Sequence, residues 1–343
     1  MQRVLVLAIL ALAGCFGERD AQQVPLPRLP EGPIELRVSY IVNERFPQLS
    51  EGELRTLLDS ARDTVKAHFG KEVRFTEMRT EPIAALFERL QPVYSRLQPL
   101  IYDFKNGRGD LPRLKKGFAD DLRRTGDDLD AMIEYALPYV LHGMRERSYA
   151  GLTDALMTTQ LARLEQLAKA QALDGAPLID AHPYNEFLYW DAVGHARWPY
   201  EIIVTNQLIA SVEYVLNSVH SALRGGITNG LTSTNQHSRL GTTAVVSVYP
   251  FYGEDPVTRA LRGGESYSRE DAARFAGVLL AHELGHQLFH LGHSYGRTEC
   301  VMNPTPLLRF RPWVEGLAPE RCPLASDRGM TPGTAKFRAA GTL

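Results

Sequence analysis

Apolar and polar residues alternate along residues 33–42 (PIELRVSYIV), which is the two-residue period of a β-strand with one buried face. Residues 50–70 instead repeat apolar residues at the spacing of an amphipathic helix. Ser50 is the expected N-cap of this helix, and Glu53 completes a capping box. Residues 71–78 (KEVRFTEM) alternate again. This strand–helix–strand opening predicts a sheet domain of the α/β or α+β kind.

The central part of the chain, from about 81 to 195, has helical periodicity and little strand signal. We interpret it as an insertion of three to five helices, whose Leu, Met and Tyr stripes are packing faces. Strand patterns return at 200–210 and 241–251, and the second is almost continuously apolar, as in a strand buried on both faces. Between them, residues 221–241 are rich in Gly, Asn, Ser and Thr, which predicts irregular turns with a short edge strand.

A long helix is predicted over residues 268–291. Ser268 is its expected N-cap. The acidic residues Glu270 and Asp271 lie in the first turn, where negative charge interacts favourably with the positive end of the helix dipole. The second half of this helix contains the string HELGH, and further histidines follow it. These residue types are the strongest indication of chemistry in the chain.

The N-terminal residues predict that the protein is exported from the cytoplasm. Residues 1–14 hold one early cation, Arg3, and an apolar run shorter than the ~20 residues that span a bilayer, so we interpret them as a signal peptide. The ending Leu-Ala-Gly-Cys resembles the lipobox of bacterial lipoproteins, which implies cleavage before Cys15 and lipidation of that residue. A plain secretory signal is the alternative. Residues 15–33, rich in proline, then predict a lipidated tether, anchored in a membrane and facing the periplasm or cell exterior.

Composition narrows the class of partner. The chain has 343 residues, 44% hydrophobic and 23% charged, with a net charge of −2, which gives no indication of nucleic acid binding. Besides Cys15, only Cys300 and Cys322 are present. An exported compartment favours a disulfide between them. Two free buried thiols, or a two-cysteine zinc site with further ligands, are the alternatives.

The HELGH string has the residue types and the spacing of a metal site on a helix. His282 and His286 lie one helical turn apart on one face and can bind the same Zn²⁺. Glu283 would lie beside the metal and could take a proton from a bound water, whose pKa zinc lowers toward about 7. The alternative is a pair of ordinary polar residues, or a motif that binds nothing.

A third ligand could come from His290 or His293. On a straight helix, His282 and His290 would be about 12 Å apart at 1.5 Å per residue, too far to converge on one ion with bonds of about 2 Å. His293 follows Gly292, which can adopt a positive φ, end the helix and turn the chain back toward the metal. We therefore favour His293 and expect His290 at the rim. Isolated histidines, His220 among them, are expected to be surface or hydrogen-bonded structural residues.

The string HELGHQLFHLGHS, followed by CVMNP, resembles the metzincin metallopeptidases. Their signature is H-E-x-x-H-x-x-G-x-x-H, followed by a methionine-containing turn beneath the zinc. The resemblance implies that His282 and His286 are zinc ligands and that Glu283 is the general base. It also implies that Met302 is the methionine of the turn.

The resemblance is imperfect at the third ligand. The glycine position of the signature is Phe289, and its last histidine position is Gly292. One inserted residue restores the match and aligns LGHS with the same ending in matrixin-type metzincins, which implies that His293 is the third ligand. The spacing to CVM also resembles archaemetzincins, which carry a second, four-cysteine zinc site. With only Cys300 and Cys322 available, we expect one Zn²⁺ and a disulfide that anchors the turn.

The resemblance implies an α+β fold with a metzincin-like zincin domain, consisting of a twisted mixed sheet, an active-site helix and the methionine turn. We assign residues 34–80 and 196–343 to this domain and 81–195 to the helical insertion. In that fold an edge strand binds the substrate backbone, and residues 225–241 are the candidate for this strand. The alternative for these residues is a flexible loop without a contact role. We expect a zinc-dependent peptidase acting on a peptide or protein. The alternatives are a zinc hydrolase of non-peptide amides and a non-catalytic zinc-holding lipoprotein that binds a partner through the insertion.

Overall fold

The computed structural model describes five stretches of the chain: residues 25–94, 102–125, 127–179, 183–211 and 218–322. The predicted signal peptide, Cys15 and the first part of the predicted tether lie outside the described residues. Within these stretches, no helix is long and apolar enough to cross a membrane.

The strands of the described residues form one five-stranded sheet and two small two-stranded pairs. They are β1 (Ile34–Val42), β2 (Val73–Pro82), β3 (Tyr102–Asp103), β4 (Arg108–Gly109), β5 (Ile202–Thr205), β6 (Ile209–Ala210), β7 (Ile227–Thr228), β8 (Gly230–Thr234) and β9 (Thr242–Ser247). The large sheet has the order β2-β1-β5-β9-β8. Its first four strands are parallel, and β8 pairs antiparallel with β9 at one edge. The fold is therefore a mixed sheet with several helices, compatible with the expected α+β class.

The helices surround this sheet. They are α1 (Glu51–Phe69), α2 (Ile83–Tyr94), α3 (Leu111–Thr125), α4 (Leu129–Ala136), α5 (Tyr149–Leu167), α6 (Phe187–Asp191), α7 (Val219–Leu223), α8 (Tyr249–Tyr252), α9 (Pro256–Leu261), α10 (Arg269–Phe289) and α11 (Phe310–Glu315). In α1, the predicted capping box between Ser50 and Glu53 is confirmed, and Gly70 ends the helix in the left-handed conformation.

Both faces of the sheet are buried because its strands alternate between two hydrophobic cores. In β5, Ile202 and Val204 belong to the larger core, whereas Ile203 belongs to the smaller one. Helices α1 and α10 cover the first face, and α2 covers the second with Trp190. This double coverage explains why the strand now seen at Thr242–Ser247 has an almost continuously apolar sequence.

The segment predicted to be helical contains α2 to α6 and, in addition, the short β3–β4 hairpin. Leu86 and Phe87 of α2 pack into the smaller core, while Met132 of α4 and Leu156 of α5 belong to the larger core. The side chains of this segment therefore contribute to both cores of the molecule.

The strand predicted at 200–210 is interrupted, and this part of the prediction is wrong. Strand β5 ends at Thr205, and the chain bends at Gln207 before β6. The Asn206 side chain accepts a hydrogen bond from the Asn43 N–H (2.7 Å) and donates one to the Asn43 carbonyl (2.8 Å). Because the amide holds this turn, Ile209–Ala210 pairs with β7 instead of extending β5.

The sulfurs of Cys300 and Cys322 lie at a disulfide distance of 2.15 Å, and both residues are buried. The bridge closes a loop that contains Met302 and α11. This is the pairing favoured from the sequence.

Removing the bridge should destabilise the protein. The double variant Cys300→Ser, Cys322→Ser is expected to lose about 3 kcal/mol of unfolding free energy, because the denatured chain regains the freedom of a 22-residue loop. Urea unfolding under non-reducing conditions measures the loss, and wild type in a thiol reductant should reproduce it. An unchanged midpoint in both would show that the bridge does not restrain the denatured chain.

Candidate metal centre

Helix α10 carries the HELGH string through the larger core, and its rotation is fixed against the sheet by Gln287. The Gln287 Nε2 donates to the carbonyl of Glu201, just before β5 (2.9 Å), and to that of Thr242, in β9 (3.0 Å). A helix held in this way has one defined face toward the sheet. His282 and Glu283, earlier on the same helix, are both buried.

The helix ends earlier than predicted. Its last residue is Phe289, and His290, not Gly292, is the residue in the left-handed conformation (φ 51°). The His290 N–H donates to the His286 carbonyl at 3.0 Å, which closes the last turn. The prediction that Gly292 ends the helix is therefore wrong. The consequence is the expected one: the chain turns back, and His293 comes to lie beside the helical pair.

His282, His286 and His293 form a group that could hold a metal ion, since their ligand nitrogens all lie within 4.8 Å of one another. The Nε2 atoms of His282 and His286 are 3.1 Å apart. Two nitrogens on one tetrahedral zinc, each about 2.0–2.1 Å from the metal, would be about 3.3 Å apart. The spacing of this pair therefore already fits a shared ion. His290 is buried but does not belong to the group.

The other ring nitrogens of the helical pair fix its tautomers. The His282 Nδ1 lies 2.7 Å from the Val301 carbonyl oxygen, and the His286 Nδ1 lies 2.5 Å from that of Leu291. A carbonyl oxygen only accepts, so each Nδ1 carries the proton and donates it. Burial lowers the pKa of His282 to about 3 and that of His286 to about 4, so both rings are neutral near pH 7. Each Nε2 then presents a lone pair, as a metal ligand requires.

Met302 packs directly beneath the ligand helix. It is fully buried, and its Sδ lies so close to Gly285 that a Cβ at that position would overlap the sulfur. The Met302 carbonyl accepts a hydrogen bond from the Ser294 N–H (3.1 Å), next to His293. The turn around Met302 therefore contacts both the helix and the loop that carries the third histidine.

The Glu283 carboxylate lies between the ligand helix and the edge strand β8. Thr232 of β8 donates to its Oε2 at 2.9 Å, and its Oε1 lies so close to Gly230 that a Cβ there would overlap it. Burial raises the pKa of Glu283 to about 8, against the opposing effect of the Thr232 hydrogen bond. A cation at the histidines would lower that pKa again and favour the carboxylate. The predicted edge strand within 225–241 thus borders the site.

Three residues of this site were missed by the sequence reasoning. His220, Arg224 and Asn229 line the same pocket as His282 and Glu283. The His220 ring lies 4.8 Å from that of His293, although it also has the hydrogen bond expected of a structural histidine, to Ser218 Oγ at 3.1 Å. No spacing pattern links these residues to HELGH. Their only sequence signal is the polar composition of 221–241, which holds two of them.

Comparison of the chain with protein-family models, curated proteins and solved structures gives no match. The resemblance to metzincins therefore stays a prediction from the sequence. A proposal about function rests on the geometry of the site.

Metal content should distinguish the two candidates for the third ligand. We expect wild type to keep one zinc per chain after dialysis against a mild chelator. His293→Ala should lose it, because two imidazoles bind far more weakly than three. His290→Ala should keep it, and so should exposed His142→Ala, the matched control. Mass spectrometry of the bound metal is the measurement. Loss in His290→Ala with retention in His293→Ala would contradict this ligand set.

Proposed function

We propose that the protein is a zinc-dependent peptidase. The observation that carries this proposal is the pair of facing Nε2 lone pairs on His282 and His286, with His293 beside them and the Glu283 carboxylate in the same pocket. Three imidazole ligands suit Zn²⁺ among the common biological cations, and three protein ligands leave one coordination position open. An open position is what separates a catalytic zinc site from a structural one.

The buried carboxylate supports a hydrolytic role. A bound Zn²⁺ would act as a Lewis acid that polarises a scissile carbonyl and acidifies water. Thr232 holds Oε2 of Glu283 and thereby orients the group. Oε1 is then the oxygen that takes a proton from the attacking water and passes it to the leaving amine, as general acid–base catalysis requires.

The edge strand supports a peptide as the substrate. Strand β8 is the last strand of the large sheet, and its Thr232 contacts Glu283 directly. An edge strand presents backbone N–H and C=O groups to which an extended peptide can pair by strand addition. Such pairing would place a substrate backbone alongside the general base. A small non-peptide amide would not use this surface.

The cysteine pair supports an exported location, because disulfides persist in oxidising compartments. Together with the cleavage and lipidation predicted at Cys15, it supports a location at a membrane surface, facing the periplasm or the cell exterior.

Replacing the general base should separate catalysis from metal binding. Glu283→Gln is expected to lower hydrolysis of a quenched fluorescent peptide library by about 10²- to 10⁴-fold while zinc content stays unchanged. Glu270→Gln, on the exposed first turn of the same helix, is the matched control and should keep full activity. If the zinc-loaded wild type cleaves no peptide, a non-catalytic zinc-holding lipoprotein becomes the better interpretation. If Glu283→Gln cleaves as well as wild type, Glu283 is not the general base.

The close contact at Gly230 provides a second test. A methyl group in Gly230→Ala would overlap Glu283 Oε1 and displace the carboxylate. We expect a loss of about 10²-fold in kcat/KM, since misplacement of a catalytic group by about 1 Å has this effect. Zinc content should not change. The control is Gly117→Ala, whose added Cβ has no heavy atom within 4 Å. Full activity in Gly230→Ala would argue against Glu283 as the base.

A further inference from the structure

The pocket beside the ligand helix combines an apolar wall with buried polar groups. Leu279 of α10 and Trp313 of α11 belong to its wall, next to His282. Arg224 and Asn229 line the same space. The pocket is narrow, so only the end of a substrate group would enter it. The chemistry of these two polar residues therefore decides what it can hold.

Arg224 is a buried cation whose charge is balanced only by dipoles. It is 3% exposed, its Nε donates to the Leu307 carbonyl at 2.9 Å, and its Nη2 donates to the Thr305 carbonyl. Across the described stretches of the chain, no carboxylate forms an ion pair with it. Burial lowers its pKa to about 10, so the guanidinium keeps its charge at neutral pH. A buried charge without a counter-charge is costly and attracts an anion.

Asn229 adds a second unsatisfied group. It is 1% exposed, and neither its Oδ1 nor its Nδ2 has a hydrogen-bond partner among the described residues. Buried amides are nearly always hydrogen-bonded, so an orphan in a pocket wall indicates a partner supplied from outside the chain. Asn229 and Glu283 line the same pocket, so the amide faces the same space as the proposed general base.

The balance of charge favours an anion. Of the side chains that line the pocket, only Glu283 is acidic. A divalent cation at the histidines together with the Arg224 guanidinium outweighs that one negative charge, so the loaded site has a positive excess in a buried setting. Guanidinium and amide N–H groups donate to both oxygens of a carboxylate, and such charge-assisted hydrogen bonds are the strong ones.

We propose that this pocket binds a carboxylate of the substrate next to the scissile bond, with Arg224 and Asn229 as the anchoring residues. This inference rests on the proposed peptidase function and narrows its substrate class to peptides that present a carboxylate there. The carboxylate has two possible sources, an acidic side chain or the free C-terminus.

The experiment compares matched peptides on the full zinc-loaded chain. Each fluorogenic peptide is made with Glu or Gln, and with Asp or Asn, at the positions flanking the cleaved bond, and each as a C-terminal acid or amide. We expect kcat/KM to be about 10- to 100-fold higher for the carboxylate member of the relevant pair. A preference for Glu or Asp identifies a side chain, and a preference for the C-terminal acid identifies the terminus.

The variants separate anchoring from a structural role. Arg224→Met should reduce the acid-to-amide ratio to near 1, and Arg224→Lys should restore part of it. Asn229→Asp should also abolish the preference, because it places a fixed carboxylate beside the guanidinium. If Arg224→Met does not fold, Asn229→Asp still allows the acid-to-amide ratio to be tested. Arg163→Met is the matched control and should keep the ratio: Arg163 also donates to two backbone carbonyls, those of Leu223 and Tyr139, but does not line the pocket.

A binding measurement distinguishes failure of this inference from failure of the proposed function. Calorimetry with zinc-loaded Glu283→Gln compares N-acetyl-glutamate amide with N-acetyl-glutamine amide, and a dipeptide acid with its amide. Arg224-dependent preference for the acids, together with no peptidase activity in zinc-loaded wild type, would support the anion pocket and refute the peptidase. Cleavage of peptides with an acid-to-amide ratio near 1, and equal affinity for the paired ligands, would overturn the inference.

Discussion

Two imidazole nitrogens, Nε2 of His282 and Nε2 of His286, face each other at 3.1 Å with both Nδ1 protons committed to backbone carbonyls. Two lone pairs at this distance repel unless a cation lies between them. The surrounding structure holds the rings in this arrangement: Gln287 fixes the helix on the sheet, and Met302 packs beneath it. The capacity of these histidines to hold a metal ion therefore depends on the whole packed end of α10.

Several helix starts and part of the ligand set could be predicted, because they depend on residues close together in the sequence. The capping box of Ser50 and Glu53, and the N-cap Ser268, mark helix starts by residue type alone. The exclusion of His290 as a ligand was also within reach, since it depends only on the rise of a straight helix and the length of a metal–nitrogen bond. These inferences need no knowledge of tertiary structure.

The remaining features depend on contacts between distant parts of the chain. The left-handed conformation is uncommon for any non-glycine residue, so the sequence favoured Gly292 over His290 as the helix end. The carbonyl of Val301 that orients His282 is a backbone group, which any residue would supply. Arg224 and Asn229 reach the site only through packing. Their incomplete satisfaction is a departure from the usual rules of burial, and such departures concentrate at functional sites.

Zinc coordination by three histidines with one open position underlies the proposed peptidase function. X-ray absorption at the zinc edge on the purified full chain tests it most directly, because it reports the type, number and distance of the ligands together. We expect three imidazole nitrogens at about 2.0–2.1 Å, plus one oxygen scatterer from solvent. A sulfur shell at about 2.3 Å, or a protein that takes up no zinc, would contradict the account.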